Sequence, residues 1–166
     1  LGVDAAGTET MLIDSVVVGK EPNSLVTDKD GKVWVLCSGG FMNDELPSLW
    51  QINPVTNQVE NSFIFDIIMQ NPENLCLNGN ADSLFFTNDG VFTMSIYDNG
   101  LPLNEIVESD NRIFYTLGID PVTSEIYVSD AINYNQNGIV YRYAPNGNLV
   151  SSFNVGIIPG DFAFNY

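Results

Sequence analysis

The strongest constraint on this chain is an internal repeat. Four segments align, Pro22–Asp28, Pro72–Asn78, Phe114–Asp120 and Pro159–Asn165, so equivalent positions return every 42 to 50 residues. Large apolar residues in them alternate with mostly small ones. Leu25, Leu75, Leu117 and Phe162 are large, as are Leu77, Ile119 and Phe164, and Val26, Cys76, Gly118 and Ala163 lie between. A period of two marks a β-strand, and small residues suit a strand on the crowded inside of a ring.

Each copy then continues in the same way. A turn rich in Asp, Asn, Gly and Pro follows (Asp28–Lys32, Asn78–Asp82, Asp120–Ser124); these residues supply turn dihedrals or bond their own backbone. A second strand reads Val33–Leu36, Leu84–Thr87 and Ile126–Ser129, and a third Ser48–Ile52, Val91–Ser95 and Ile139–Tyr143. After another tight turn comes a fourth, Val59–Phe63, Leu103–Val107 and Leu149–Phe153. We label these positions a to d. Four strands in a repeat of roughly 40–50 residues are the mark of a β-propeller blade; a β-sandwich does not repeat at this spacing with matched turns.

The sequence therefore predicts one all-β domain over residues 1–166, a partial β-propeller of four-stranded antiparallel blades. Complete blades are expected at 18–66, 67–109 and 110–155, the end of a further blade at 1–17, and the first strand of a closing blade at 156–166. The start, Leu1-Gly2-Val3-Asp4, is neither Met nor a leader with a basic and then an apolar region, and reads as a cut in a longer chain. A half ring with open edges is expected to pair with its missing half or with a second copy.

Composition narrows the partners. Asp and Glu number 21 against 5 Lys and Arg, a net charge of −16. The basic residues Lys20, Lys29, Lys32, Arg112 and Arg142 form no cluster in sequence, so nucleic acid and anionic membrane surfaces are disfavoured as partners. No apolar run is long enough to predict a membrane-spanning helix. Cys37 and Cys76 lie in apolar strands and read as buried free thiols.

The run Val18-Gly19-Lys20-Glu21-Pro22-Asn23-Ser24-Leu25-Val26-Thr27-Asp28-Lys29-Asp30-Gly31-Lys32-Val33-Trp34-Val35, with Leu49-Trp50-Gln51-Ile52-Asn53-Pro54-Val55-Thr56-Asn57-Gln58-Val59, resembles the YncE-like, surface-layer-type seven-bladed propellers. The ending Val155–Phe164 is similar to the C-terminus of secreted members from Bacteroidetes. The resemblance implies the C-terminal half of a seven-bladed ring in an extracellular, outer-membrane-surface or periplasmic (lipo)protein. Some relatives capture corrinoids. The matching residues are turns and strands, so no ligand residue carries over.

Candidate chemistry is sparse. The chain has no histidine, which removes Ser-His-Asp and Cys-His catalysis and His-ligated zinc from these residues. Asp28-Lys29-Asp30-Gly31 resembles the opening of a calcium loop, but the twelfth position is Gly39 where a bidentate Glu is needed; a hairpin turn is the expected reading. Asp44-Glu45 reads as acid–base pair, cation ligand or solvated loop, and Arg112, beside Asp110, as an anion holder or a surface ion pair.

Loop length is the better guide. In a propeller the d–a and b–c connections share one face around the central channel. Here the b–c loops Ser38–Pro47 and Asp130–Asn137 are long while the a–b turns are tight, and length in a compact repeat points to function or to a variable insertion. The candidate ligand-binding residues are Phe41, Met42, Asn43, Asp44, Asn133, Tyr134, Asn135 and Arg112. Apolar plates with amide donors suit a flat, polar-edged organic molecule; the competing reading packs Phe41 and Tyr134 on their own blades. No metal or cofactor is expected. The expected role is non-catalytic binding or scaffolding at the cell surface, with a small nutrient such as a corrinoid or a glycan as ligand. A surface-layer or protein-interaction module, and a propeller lactonase or lyase, are the competing classes.

Overall fold

The structure, a computed structural model, describes the short strands β1 (Gly2–Val3) and β2 (Glu9–Thr10) together with residues 15–166. β1 and β2 pair antiparallel, Gly2 opposite Thr10. Of the blade end expected over 1–17, residue 1 and residues 4–8 and 11–14 lie outside the described residues, and 15–17 join no sheet.

Three antiparallel meanders follow. Blade one is β3 (Pro22–Thr27), β4 (Val33–Cys37), β5 (Ser48–Asn53) and β6 (Gln58–Ile64), in that order across the sheet. Blade two is β7 (Glu73–Leu77), β8 (Ser83–Asn88) and β9 (Gly90–Ser95). Blade three is β10 (Phe114–Ile119), β11 (Ile126–Asp130), β12 (Asn137–Tyr143) and β13 (Leu149–Ile157). There is no helix among the described residues.

The turns explain why consecutive strands fold back on one another. At each a–b turn one side-chain oxygen accepts two backbone N–H groups. Asp28 Oδ1 takes those of Asp30 and Lys32, both at 2.9 Å. Asn78 Oδ1 takes those of Asp82 and Ser83 at 3.0 and 3.1 Å, and Asp120 Oδ1 those of Val122 and Thr123, both at 2.8 Å. Asn53 does the same at the first c–d turn, toward Val55 and Thr56. Asp28 is also buried, and its Oδ2 accepts Trp34 Nε1–H at 2.8 Å. The run that resembles a calcium loop is thus a hairpin turn whose first carboxylate is consumed by the protein itself.

Blades pack face to face. Trp34, Leu36, Leu49 and Phe65 of blade one and its exit meet Leu75, Leu84, Phe86 and Met94 of blade two. The other face of blade two, Phe85 and Val91 with Val107, meets Leu117, Ile126, Val128 and Tyr143 of blade three. Each such side chain contributes roughly 1.5–3 kcal/mol on burial. Alternate residues of β8 feed the two cores, so Phe85 and Phe86 point to opposite neighbours.

The structure departs from the sequence reading in two places. The expected fourth strand of blade two, Leu103–Val107, is reduced to a single bridge between Val91 and Val107. Pro102 brings no N–H to a ladder, and the turn is closed earlier by Ser95 N–H bonding Asp98 Oδ2 at 2.8 Å. The chain therefore leaves β9 before it can pair. Secondly, the repeat segment Pro159–Asn165 joins no sheet, and β13 runs on to Ile157, past the expected boundary at 155. The segment still lies where an inner strand belongs. The carbonyl of Pro159 accepts Ser129 Oγ–H at 2.9 Å, much as Pro72, its counterpart, accepts Asn23 Nδ2–H at 2.8 Å. Phe162 and Phe164 pack on Tyr127 with ring centres 6.0 and 5.3 Å apart.

Cys37 and Cys76 are free thiols. Burial raises the pKa of both, that of Cys76 to about 12, so neither is a nucleophile near neutral pH.

Candidate functional site

The b–c loops and d–a connections do converge on one face. The first long loop is fastened to the connection before β3: Ser38 N–H bonds the Glu21 carbonyl and Gly39 N–H the Lys20 carbonyl, both at 3.1 Å. Gly39 and Gly40 take φ of 88° and 102°, a left-handed region that suits glycine. This bend lifts Phe41 clear of its blade, 87% exposed. Asp44 pairs with Lys20 at the loop's base. Lys20 holds the Asp44 carboxyl below its ordinary pKa, and Asp44 raises that of Lys20.

Two clefts result. The first, about 680 Å³, lies between this loop and the connection from blade one to blade two, with Phe41, Asn43, Met69, Asn23 and Glu21 among its walls. The second, about 460 Å³, lies between blades two and three, with Asp89, Arg112, Tyr115 and Tyr134 among its walls. Asn71 and Glu73 line both, and Asn71 Nδ2 donates to Glu73 Oε1 at 2.7 Å. The clefts are therefore neighbours on the loop face with Asn71 and Glu73 as their shared wall, each within the roughly 300–1,000 Å³ range of ligand pockets.

The second cleft is held in shape by Asp130, a buried residue at the end of β11. Its Oδ1 accepts the N–H of Ile113 at 3.1 Å and of Ile132 at 2.8 Å, so one carboxylate ties the d–a connection to the b–c loop. Tyr115 and Tyr134 meet edge to face, 6.0 Å between centres. Tyr115 belongs to β10, so Tyr134 packs on its own blade, as the competing reading has it, and also forms part of the cleft wall.

The candidate residues sort clearly. Phe41, Asn43, Tyr134 and Arg112 line the groove, whereas Met42 is exposed without lining it. Asp44 is engaged by Lys20. Asn133 Oδ1 accepts the N–H groups of Asn135 and Gln136, and Asn135 Nδ2 bonds the Asn133 carbonyl at 3.0 Å; these two amides build their own turn. Arg112 is tied up internally. It donates to Tyr143 Oη at 2.7 Å, Asp110 Oδ2 at 2.7 Å and the Ser109 carbonyl at 2.8 Å, and lies over the Tyr141 ring at 4.8 Å. Its role is to pin the connection into blade three, which displaces the anion-holder reading. Tyr115, Met69, Asn71, Glu73 and Asp89 were not singled out from the sequence. Met69 and Asn71 sit on the d–a connection out of blade one, and Glu73 and Tyr115 at the starts of β7 and β10 just beyond such connections, on the same face by the propeller rule.

The groove is acidic, with Glu21, Glu73 and Asp89 in its walls and Arg112 already neutralised by Asp110. No cluster of three or more metal-ligating side chains occurs among the described residues.

No family model and no curated protein matches the chain. Solved structures do. A quinonprotein alcohol dehydrogenase-like protein from Bacteroides thetaiotaomicron superimposes with a TM-score of 0.60 at 14% identity over 80% of this chain. Hydrazine synthase of Kuenenia stuttgartiensis does so with a TM-score of 0.60 at 14% identity over 90%. The chain spans only 33% and 41% of those two chains. At this identity the likeness shows the fold, and it fits the β-propeller read from the blades.

Proposed function

We propose that this chain is part of a non-catalytic, cell-surface or secreted propeller that captures a small organic molecule in the loop-face groove. The observation that supports this reading is the pair of adjacent clefts that share Asn71 and Glu73, with Phe41 in the wall of one and the Tyr115–Tyr134 pair in the wall of the other. Aromatic faces supply contact area, and amides and carboxylates supply directed bonds. The acidic lining selects neutral or cationic ligands over anions. A corrinoid, whose rim carries amides, and a glycan both match that description. The names of the two superimposed proteins include enzyme activities, and at 14% identity those activities stay with them.

Thermal-shift titration with cyanocobalamin and with neutral and amine-bearing oligosaccharides tests the reading. A ligand that raises the melting temperature of the parent, but not of Phe41→Ala or Tyr115→Ala, supports it. A shift that both substitutions leave intact removes the groove from consideration, and no shift with any corrinoid removes that ligand class.

A further inference from the structure

The rim of blade two holds a second opening, separate from the loop-face groove. Because Leu101–Glu105 makes no backbone bond to β9, whereas Ile106 and Val107 do, the β9 edge is left open there, and two hollows lie beside it with Phe92 and Leu103 as shared walls. One hollow is apolar, about 230 Å³, with Phe65, Ile67, Phe86 and Leu101 among its other walls. It is smaller than the roughly 300 Å³ lower bound of whole-ligand pockets, and has room for a single side chain. Leu103 forms its lip and is 92% exposed. The other hollow is acidic, walled by Glu105, Glu108 and Asp110. Burial and the nearby charges of Glu108, Asp89 and Asp110 raise the Glu105 carboxyl above its ordinary pKa, the mark of crowded negative charge. Beside both hollows, β9 has an edge. Val91 exchanges bonds outward with Val107, so two residues on the N–H and C=O of Thr93 also face outward. They have no backbone partner among the described residues.

We propose that this rim docks an extended segment of a different, basic polypeptide. One aromatic or branched apolar side chain of the segment fills the Phe65–Phe86–Phe92 hollow, and a flanking Lys or Arg lies against Glu105 and Glu108. Charge complementarity selects the occupant. A second copy of this chain is a poor one, because each of its five Lys and Arg residues is already in an ion pair: Lys20 with Asp44, Lys29 with Asp82, Lys32 with Glu60, Arg112 with Asp110 and Arg142 with Glu125. Two copies at a net charge of −16 each also repel.

Fluorescence anisotropy with three labelled pentapeptides tests this: Ser-Lys-Phe-Lys-Ser, Ser-Glu-Phe-Glu-Ser and Ser-Lys-Ala-Lys-Ser. The first should bind about tenfold or more tightly than either control, and less tightly as salt is raised. Leu103→Asp, on a side chain too exposed to be needed for folding, should weaken it by about tenfold. The double variant Glu105→Gln with Glu108→Gln should erase the preference for Lys over Glu. Equal binding of the three peptides overturns the proposal. So does binding that Leu103→Asp leaves intact while Tyr115→Ala abolishes it, or strand-like amide-exchange protection of residues 103–105, which would place the chain's own segment on the β9 edge.

Discussion

At the scale of single residues, the turns show what a small polar side chain does when it is placed at a reversal and buried. Asp28 accepts three hydrogen bonds, two from its own turn and one from the Trp34 indole. Trp34 is fully buried, so its N–H has no water to fall back on. Removing an acceptor from a buried donor costs about 1–3 kcal/mol, more than the mean net value of a hydrogen bond. Asp28→Ala should therefore lower unfolding stability by about 2–3 kcal/mol, read from the denaturant midpoint, and red-shifted Trp fluorescence should accompany it. Asp30→Ala, which removes an exposed carboxylate on the same turn, should change stability by less than about 0.5 kcal/mol. Equal effects from the two would show that Asp28 is an ordinary turn residue. The sequence identified this position as a turn because Asp-x-Asp-Gly between two apolar runs has a local mechanism. The bond to Trp34 was not legible, since it depends on how the hairpin folds back. The internal pairing of Arg112 and of Asn133 was hidden for the same reason. A residue type states what a side chain can bond to, and three-dimensional neighbours decide what it does bond to.

At the scale of elements, the regular part of the fold was readable and its irregularities were not. Strands β3–β5, β8 and β10–β12 follow from period-two alternation between turn residues, and their register follows once the turn is fixed. The lost outer strand of blade two was invisible because Leu103–Val107 has adequate strand composition; the chain's path out of the Asp98 turn decides the matter. Contact between turns of adjacent blades was equally hidden. Gly79, in the a–b turn of blade two, lies so close to the Pro121 carbonyl in the a–b turn of blade three that a Cβ has no room. Its φ is not positive, so the glycine is there for close approach alone. Gly79→Ala should push the two turns apart and lower stability by about 1–3 kcal/mol, as other overpacked contacts do. Gly100→Ala, where nothing lies within 4 Å of the added carbon, is the control and should be near neutral. Hydrogen exchange should show the loosening at residues 78–82 and 120–124 together. A loosening confined to blade two would mean that the blades do not communicate through this contact.

At the scale of the whole molecule, each outer blade has one face with no neighbouring blade among the described residues, and the chain covers both with its own extended segments. Val16 and Val18 lie against Val35, Cys37 and Ile52 at one end, and Phe162 and Phe164 lie against Tyr127 at the other. Beyond the rings, the Tyr166 hydroxyl lies near enough to the Asp120 carboxylate for each to shift the other's titration. Burial alone would raise the Asp120 pKa. The hydroxyl of Tyr166 and the N–H groups of Thr123 and Val122 outweigh it and bring the group down to about 2. Local desolvation of the hydroxyl and the Asp120 acceptor push the Tyr166 phenol, on a side chain otherwise 71% exposed, up to about 12. The signs follow. A carboxyl depressed below its unfolded value of about 3.9 stabilises the fold above that pH, and the contribution disappears as pH falls toward 2. A phenol raised above its unfolded value of about 10 stabilises below that pH, and the contribution is lost as pH rises through 12. The contribution of this pair should thus be fully present from about pH 4 to pH 10 and fade at either extreme. Tyr166→Phe keeps the ring and removes the donor. The Asp120 carboxyl, followed by carbon-13 NMR, should then titrate measurably closer to the ordinary carboxylate value, and proteolysis within 159–166 should accelerate at neutral pH. Asp120 titrating unchanged in Tyr166→Phe would mean that the turn amides alone depress it, and that the two phenylalanines hold the cover without help from the last residue.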